Sequence, residues 1–554
     1  MSRSGDDLNV SDIIEPQLRP IETLGSVRLQ QANTGVTLLI PQPSDDPNDP
    51  LRWSYAFRIY LVTLTCTALL WVNFFAAGPA VTLVEVVVDL FDAVPPDPRN
   101  PASFSPTSIA KFSAGITKAA FLFSSASLAA STSNILWVPL AIKYGRRVVY
   151  TSSFFVFGLC CIWSARATTY ESLLAARLVG AWFSGGAECV APMTIADTFF
   201  LHERGRMMAL YSASLSAGAA LGAVLAGALS ITQTWRTFYY LNAGLVLATT
   251  ALIFFTMPET AFQRGPSGPA ESSLSEQAEK AGGTTTLEYV ATPHSPHKQS
   301  YLQRMAFSRT AITRESLWRI AVRPLPMIVL PPVIYATVNF GLAIGIFVVL
   351  STTAPTAYQT IYGFTTWQVG LIWIAAILGN VVGIPFGGQF SDWIANRATR
   401  KNDGIREPEM RLPAMTLAMI AYPGSLLLFG LGLHYKTHWI VPTLGIFLFS
   451  FGSSASIGIG VVYTVDCYRP IAGEVVVAQI FYKSAITYLL GFYANPWMEK
   501  DGYAGAFGTM AAICFVGVGL WIPLYIWGGR IRRAAFKWRA MALVHWDADR
   551  DVGE

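Results

Sequence analysis

Charge is scarce in this 554-residue sequence: Asp, Glu, Lys and Arg make up 13% of it, against about 25% in ordinary soluble domains. That shortage argues against a water-soluble fold. The chain also lacks a G-x-x-x-x-G-K-[ST] loop to cradle phosphates, which excludes an ATP-driven pump within it. It has no nucleophile elbow and no His pair with metal spacing, since His434 and His438 stand at the end of an apolar run without a carboxylate partner. An enzyme, a metal site and a bound cofactor therefore find no support. Cysteine is sparse too: Cys66, Cys160, Cys161, Cys189 and Cys514 fall inside apolar runs and Cys467 beside one, which suits packing and gives no disulfide framework. The first 52 residues are polar and hold no basic stretch leading into an apolar core, so no cleavable signal is expected and the first span directs insertion.

What the chain does have is length in its apolar runs. Hydrophobic residues form 53% of it, gathered into runs of about 18–25 residues that match a hydrocarbon core of roughly 30 Å. In the first half these lie near Phe57–Gly78, Ile116–Ala141, Val148–Ala165, Leu173–Phe199, Met207–Ser230 and Phe238–Met257. In the second they lie near Met327–Leu350, Gln368–Phe390, Pro413–Leu433, Trp439–Val462, Val475–Ala494 and Phe507–Trp527. Between the halves runs a polar segment, Pro258–Arg323, with Arg304, Arg309, Arg314, Arg319 and Arg323; its stretch from about Gly265 to Ser300 offers nothing to bury and is expected to be disordered. The fold class that follows is an all-α polytopic membrane protein with about twelve transmembrane helices in two six-helix bundles. Its parts are a tail (1–52), a bundle (53–257), a linker (258–323), a second bundle (324–528) and a tail (529–554).

Arginines and lysines set the orientation. Lys143, Arg146 and Arg147 follow the second run and Arg204 and Arg206 the fourth, whereas no Lys or Arg occurs between about Ser351 and Thr366. Both termini and the linker are thus expected in the cytosol. The net charge of +5 reflects that topology and carries no nucleic-acid meaning. After Trp527, Arg530, Arg532, Arg533, Lys537 and Arg539 are interleaved with Phe536 and Trp538, as in a segment lying on an anionic leaflet or as the stop signal of the last span alone.

Several stretches resemble the major facilitator superfamily, and within it the fungal drug:proton antiporter-like branch. Leu140–Arg147 resembles the family's G-x-L-a-D-R-x-G-R-R loop, retaining Lys143, Gly145, Arg146 and Arg147 but with Ile142 where the Asp is expected. Arg177 followed by Gly185, Gly186 and Glu188 resembles a second motif. Gly218, Gly222 and Gly227 resemble the antiporter glycine ladder, without its proline. Pro258-Glu259-Thr260 resembles the family's P-E-T ending of the sixth span. Gly388–Asp392 resembles a second copy of the first loop that keeps its acid, Asp392, and Tyr463–Pro470, with Asp466, Arg469 and nearby Glu474, resembles a stretch of the fungal branch. Asp197, at the end of the fourth span, is grouped with these gating positions. The resemblance implies alternating access by a proton-coupled exporter of drugs or secondary metabolites. Uptake of a nutrient such as a polyamine, or a sensor retaining the same fold, are its alternatives. The partners implied are a small-molecule substrate, protons and the lipid bilayer, with the chain acting as a monomer in the plasma membrane or the vacuolar membrane.

Charges inside spans are costly and usually face a cavity. Arg177 and Glu188 are eleven residues apart, close to three turns, and so share a helix face. Lys483 sits mid-span in the eleventh run. Glu188 is expected to be the proton-coupling carboxylate, because it alone among the acids lies well inside a span; a structural pairing with Arg177 or Lys483 is the competing expectation. The substrate cavity is expected to be walled by Asn73, Glu188, Tyr335, Asn339, Asn380, Tyr463 and Lys483, with Phe340 and Trp373 adding apolar surface.

Overall fold

A computed structural model of the chain describes residues 44, 46–93, 106–262, 300, 301, 305, 316–402, 406–468, 471–535 and 538. Arg469 and nearly all of the 265–300 stretch fall outside these. Helices α1 (Tyr55–Ala77), α2 (Leu83–Phe91), α3 (Pro106–Thr132), α4 (Asn134–Tyr144), α5 (Arg146–Arg166), α6 (Tyr170–Thr198), α7 (Leu201–Leu229) and α8 (Trp235–Thr256) build the first half. The short α9 (Leu317–Val322) precedes the second half. That half comprises α10 (Pro331–Tyr362), α11 (Thr366–Ile372), α12 (Ile374–Pro385), α13 (Ser391–Lys401), α14 (Met415–His434), α15 (Ile440–Cys467), α16 (Ala472–Gly519) and α17 (Trp521–Ala535). No strand occurs among the described residues.

Eleven helical stretches among the described residues are long and apolar enough to cross a membrane. The helix left out of that set is α6, whose 29 residues suffice in length but whose middle is diluted by Arg177, Glu188, glycine and serine. Helix α16 carries the eleventh span and the first part of the twelfth, which continues into α17. It is broken at Gly502, where φ +67 and ψ 175 leave the helical region; glycine tolerates that backbone without a Cβ clash.

Several boundaries depart from the sequence reading: α3 begins at Pro106, the helical stretch of the eighth span runs on to Lys401, and α10 extends furthest past its expected end. Helix α10 continues to Tyr362, well past Leu350, so the connection expected over Ser351–Thr366 shrinks to three residues. Its Ser and Thr side chains allow this because they bond back along the helix: Thr352 Oγ1 donates to Val348 O, Thr356 to Thr352 O and Thr360 to Thr356 O. Gly363, at φ +69, then ends the helix.

Large apolar side chains such as Phe155, Leu159, Val381, Ile420 and Val516 point outward, as expected where the surrounding solvent is lipid. Inside, each half has its own apolar core, and the second half's core also takes in Val81, Ala220 and Ala223 from the first. The halves meet along α3 with α16, and along α7 with α11 and α12. The end of the linker segment is ordered: α9 packs on α4, burying Ile320 and Ala321.

Candidate transport site

Between the halves lies a cavity of about 150 Å³. Its walls are mostly apolar, with Phe75 and Phe123 from the first half and Phe340, Phe347 and Phe449 from the second. Serine hydroxyls break up that surface: Ser127, Ser131, Ser212 and Ser216 on one side, Ser450, Ser453 and Ser454 on the other. Sequence reasoning missed these serines. Their signal was present in the spacing, since residues four apart on a helix, such as 127 and 131 or 212 and 216, share a face.

Among the described residues, three charged side chains line the cavity: Arg177, Glu188 and Lys483. The Lys483 ammonium, on α16, donates to the Glu188 carboxylate on α6, an ion pair that ties the two halves together. Lys483 Nζ also sits 4.2 Å from the centre of the Phe340 ring, a cation–π contact that gains strength in a dry site. Both members of the pair are largely buried, at 6% and 12% side-chain exposure. An ion pair so placed is held by mutual compensation, because either charge left alone would be costly.

Arg177 does a different job. Its guanidinium donates to Tyr239 Oη at 2.8 Å and to the carbonyls of Leu122 and Ala76, both at 3.3 Å. It also lies over Phe123 and Phe75, at 4.5 and 5.1 Å from the ring centres. These partners come from α1, α3 and α8, so Arg177 fastens the interior of the first half. Every one of them is neutral, and among the described residues no carboxylate pairs with Arg177.

Of the other expected wall residues, Asn73, Phe340 and Asn380 line the cavity. Asn73 keeps its amide bonded to Leu69 O. Asn339, Tyr335, Trp373 and Tyr463 do not line it, and helical phase explains why. Asn339 precedes Phe340 by one residue, about 100° around the helix, and faces α15, where its amide exchanges bonds with Ser456 at 2.6 and 3.3 Å. Tyr335 points to Val518 O, and Trp373 stacks edge-on with Phe347 in the second half's core. Tyr463 is enclosed beside Cys467 in a third core.

The expected gating residues of the charged loops gather at the arginine-rich end. Arg146 pairs with Asp197 at 2.9 Å, and the Glu259 carboxylate accepts from the backbone N–H of Arg146 and of Arg147. With Ile142 in place of an acid, Asp197 and Glu259 thus supply the loop's negative charge. Gly145 makes this possible: it has φ +100, and a Cβ there would run into the Glu259 carboxylate. Arg147 also donates to Phe254 O, while Lys143 lies in the last turn of α4.

In the second half Asp392 meets Arg406 at 3.2 Å and Arg411 at 3.6 Å, and Arg411 reaches Asp466 at 2.8 Å. Glu474 lies in the first turn of α16. Arg532, expected on a leaflet-facing surface, turns inward instead and grips Glu409 with two bonds of 2.7 and 2.8 Å. Gly528 leaves the room, since a Cβ there would lie 2.6 Å from the Glu409 side chain. Glu409 carried no signal in the sequence; it lies in a short 3-10 turn, Pro408–Ala414, that leads into α14.

The three glycines of the ladder on α7 divide. Gly218 and Gly222 lie against the α1 backbone at Leu70 and Phe74, inside the first half, whereas only Gly227 meets the second half, at Gly370.

The sequence description of the Major Facilitator Superfamily matches residues 60–478. The chain belongs to that superfamily. Its relatives include an uncharacterized MFS-type transporter of Schizosaccharomyces pombe, 25% identical over 91% of this chain and 89% of the relative. Protein HOL1 of Saccharomyces cerevisiae is 24% identical over 92% of each, and efflux pump radE of Floropilus chiversii 26% identical over 75% and 73%. Among solved structures, the proton:xylose symporter XylE superposes with a TM-score of 0.57 at 16% identity, over 86% of this chain and 96% of its own. That likeness establishes the fold: as a member of the superfamily, the chain is a multi-pass membrane transporter with the paired-bundle architecture.

Proposed function

We propose that this transporter moves small organic molecules by alternating access and is driven by the proton gradient, with Glu188 as the proton-carrying group. The observation that carries the reading is the Glu188–Lys483 pair, which joins the two halves inside the cavity where a substrate would sit. A carboxylate in that position links protonation to contact between halves, because its proton would dissolve the ion pair. The arginine-rich end is taken as cytosolic, with Arg146–Asp197 and Arg411–Asp466 as ties within each half that hold the loops in place.

Direction depends on what shares the pair. A substrate that competes with the proton for Glu188 would be exchanged and exported, the traffic suggested by the name efflux pump carried by one relative. A substrate that loads together with the proton would be taken up across a plasma membrane acidic outside. A sensor is the weaker reading, since a cavity between the halves lined by an ion pair is what turnover needs. The test is flux into proteoliposomes under an imposed pH gradient, with anionic, neutral and cationic organics; no gradient-dependent movement of any of them would remove the reading.

A further inference from the structure

The charges lining the cavity do not cancel. Among the described residues they are Arg177, Lys483 and Glu188, two cations against one carboxylate. Arg177 donates to neutral groups, Tyr239 Oη and the carbonyls of Leu122 and Ala76. Lys483 has two contacts, the Glu188 carboxylate and the face of Phe340. The pair therefore poses a constraint: whatever occupies Glu188 must leave Lys483 with another anion, because a buried ammonium without one is strongly disfavoured.

A cationic substrate fails that constraint. Bound at Glu188, it would displace Lys483 and leave two ammonium-type charges side by side, with Arg177 adding a third. A proton alone fails as well, for it neutralises Glu188 and strands Lys483. A proton together with an anion succeeds: the carboxyl becomes neutral, and Lys483 donates to the new anion in its place. The walls suit the rest of such a molecule, since Phe75, Phe123, Phe340, Phe347 and Phe449 offer ring surface and the serines offer hydroxyls.

We propose that the substrate class of this transporter is organic anions with an apolar or aromatic body, bound by Lys483 while a proton occupies Glu188, so that anion and proton load together. This rests on the proton-coupled reading above and narrows it to cotransport. Other groups near Glu188 are Tyr211 on α7, Cys189 on its own helix and, beyond them, Tyr150 on α5 and Cys66 on α1. None is a cation that could replace Lys483 as the docking point, and none is an acid that could replace Glu188.

The test uses the full-length protein in detergent and two permanently charged probes of similar size, naphthalene-1-sulfonate and naphthylmethyl-trimethylammonium. Neither can cross a bilayer as a neutral acid or base, so both also serve in vesicles. In the wild type, sulfonate affinity should rise by up to about tenfold for each unit of falling pH over the range where Glu188 takes its proton, as linkage of one proton to one anion requires. The cation should bind weakly at every pH. Glu188→Gln should bind the sulfonate tightly with a flat pH profile, Lys483→Gln should lose it at every pH, and Lys483→Arg should retain it. Preference for the cation, a pH slope that survives Glu188→Gln, or sulfonate binding indifferent to Lys483→Gln would each overturn the proposal. Should Lys483→Gln not fold, the wild-type and Glu188→Gln profiles decide. Gradient-driven exchange of the cation for protons would sink this proposal and leave proton coupling standing. Sulfonate binding linked to a proton, but without gradient-driven flux, would do the reverse.

Discussion

Gly227 on α7 and Gly370 on α11 meet backbone to backbone across the two halves: a Cβ added at 227 would lie 2.7 Å from the Gly370 Cα. Such closeness needs glycine on both sides. By contrast Gly222 touches the Phe74 carbonyl within its own half, at 2.8 Å from an added Cβ. Gly227→Ala should therefore impair the joining of the halves at this end. Overpacking costs about 1–3 kcal/mol, enough to deplete the closed arrangement roughly 5- to 150-fold. Transport rate in vesicles should fall while thermal stability changes little, whereas Gly222→Ala should chiefly lower the melting temperature.

The buried Arg532–Glu409 pair, at 3% and 6% side-chain exposure, anchors α17 to the 3-10 turn before α14. Removing one partner leaves an uncompensated charge, which typically costs about 3–5 kcal/mol. Glu409→Ala and Arg532→Ala should each destabilise by that order, and Arg532→Met combined with Glu409→Leu should recover most of it. A double-mutant cycle on thermal or denaturant unfolding measures the coupling; additive losses would show that the pair contributes nothing.

Glu85, on α2 beyond the end of the first span, has its pKa raised above 4.5 by burial, with a hydrogen bond to the Thr366 side chain working the other way. The folded state thus holds this proton more tightly than the unfolded state. Its contribution to stability is full below the unfolded value and is lost as pH rises through the folded one. Glu85→Gln, which stays neutral, should match the wild type at acidic pH and exceed it at neutral pH. Melting curves across pH 4–8 check this, and a wild type that gains on the variant as pH rises would contradict it.

Much of the architecture was legible because length and apolarity alone define a membrane span, and the arginine-bearing loops punctuate the spans. The extension of α10 to Tyr362 was not, since Ser351, Thr352 and Thr356 read as a polar connection unless their bonds to the preceding turn are known. Glu188 and Lys483 stood out as charges in apolar runs, but their pairing across the two halves needs the packing of α6 against α16. Tyr335, Asn339, Trp373 and Tyr463 show the limit of choosing wall residues by type: a rotation of about 100° per residue sends Asn339 to Ser456 while Phe340 faces the cavity. Arg532 looked like part of a basic amphipathic face, and only the gap left by Gly528 reveals its inward turn.

The most direct measurement is accumulation of substrate in proteoliposomes under an imposed pH gradient, beside counterflow exchange without a gradient, for the wild type and Glu188→Gln. The neutral amide keeps the size of the side chain but cannot take up or release a proton. Naphthalene-1-sulfonate serves as the probe. Wild-type vesicles should concentrate it when the substrate and the proton excess are on the same side. Glu188→Gln should abolish that uphill step while leaving counterflow within about threefold of the wild type, because equal binding on both sides needs no coupling. Undiminished, pH-dependent accumulation by Glu188→Gln would contradict the assignment and move the proton to another carboxylate.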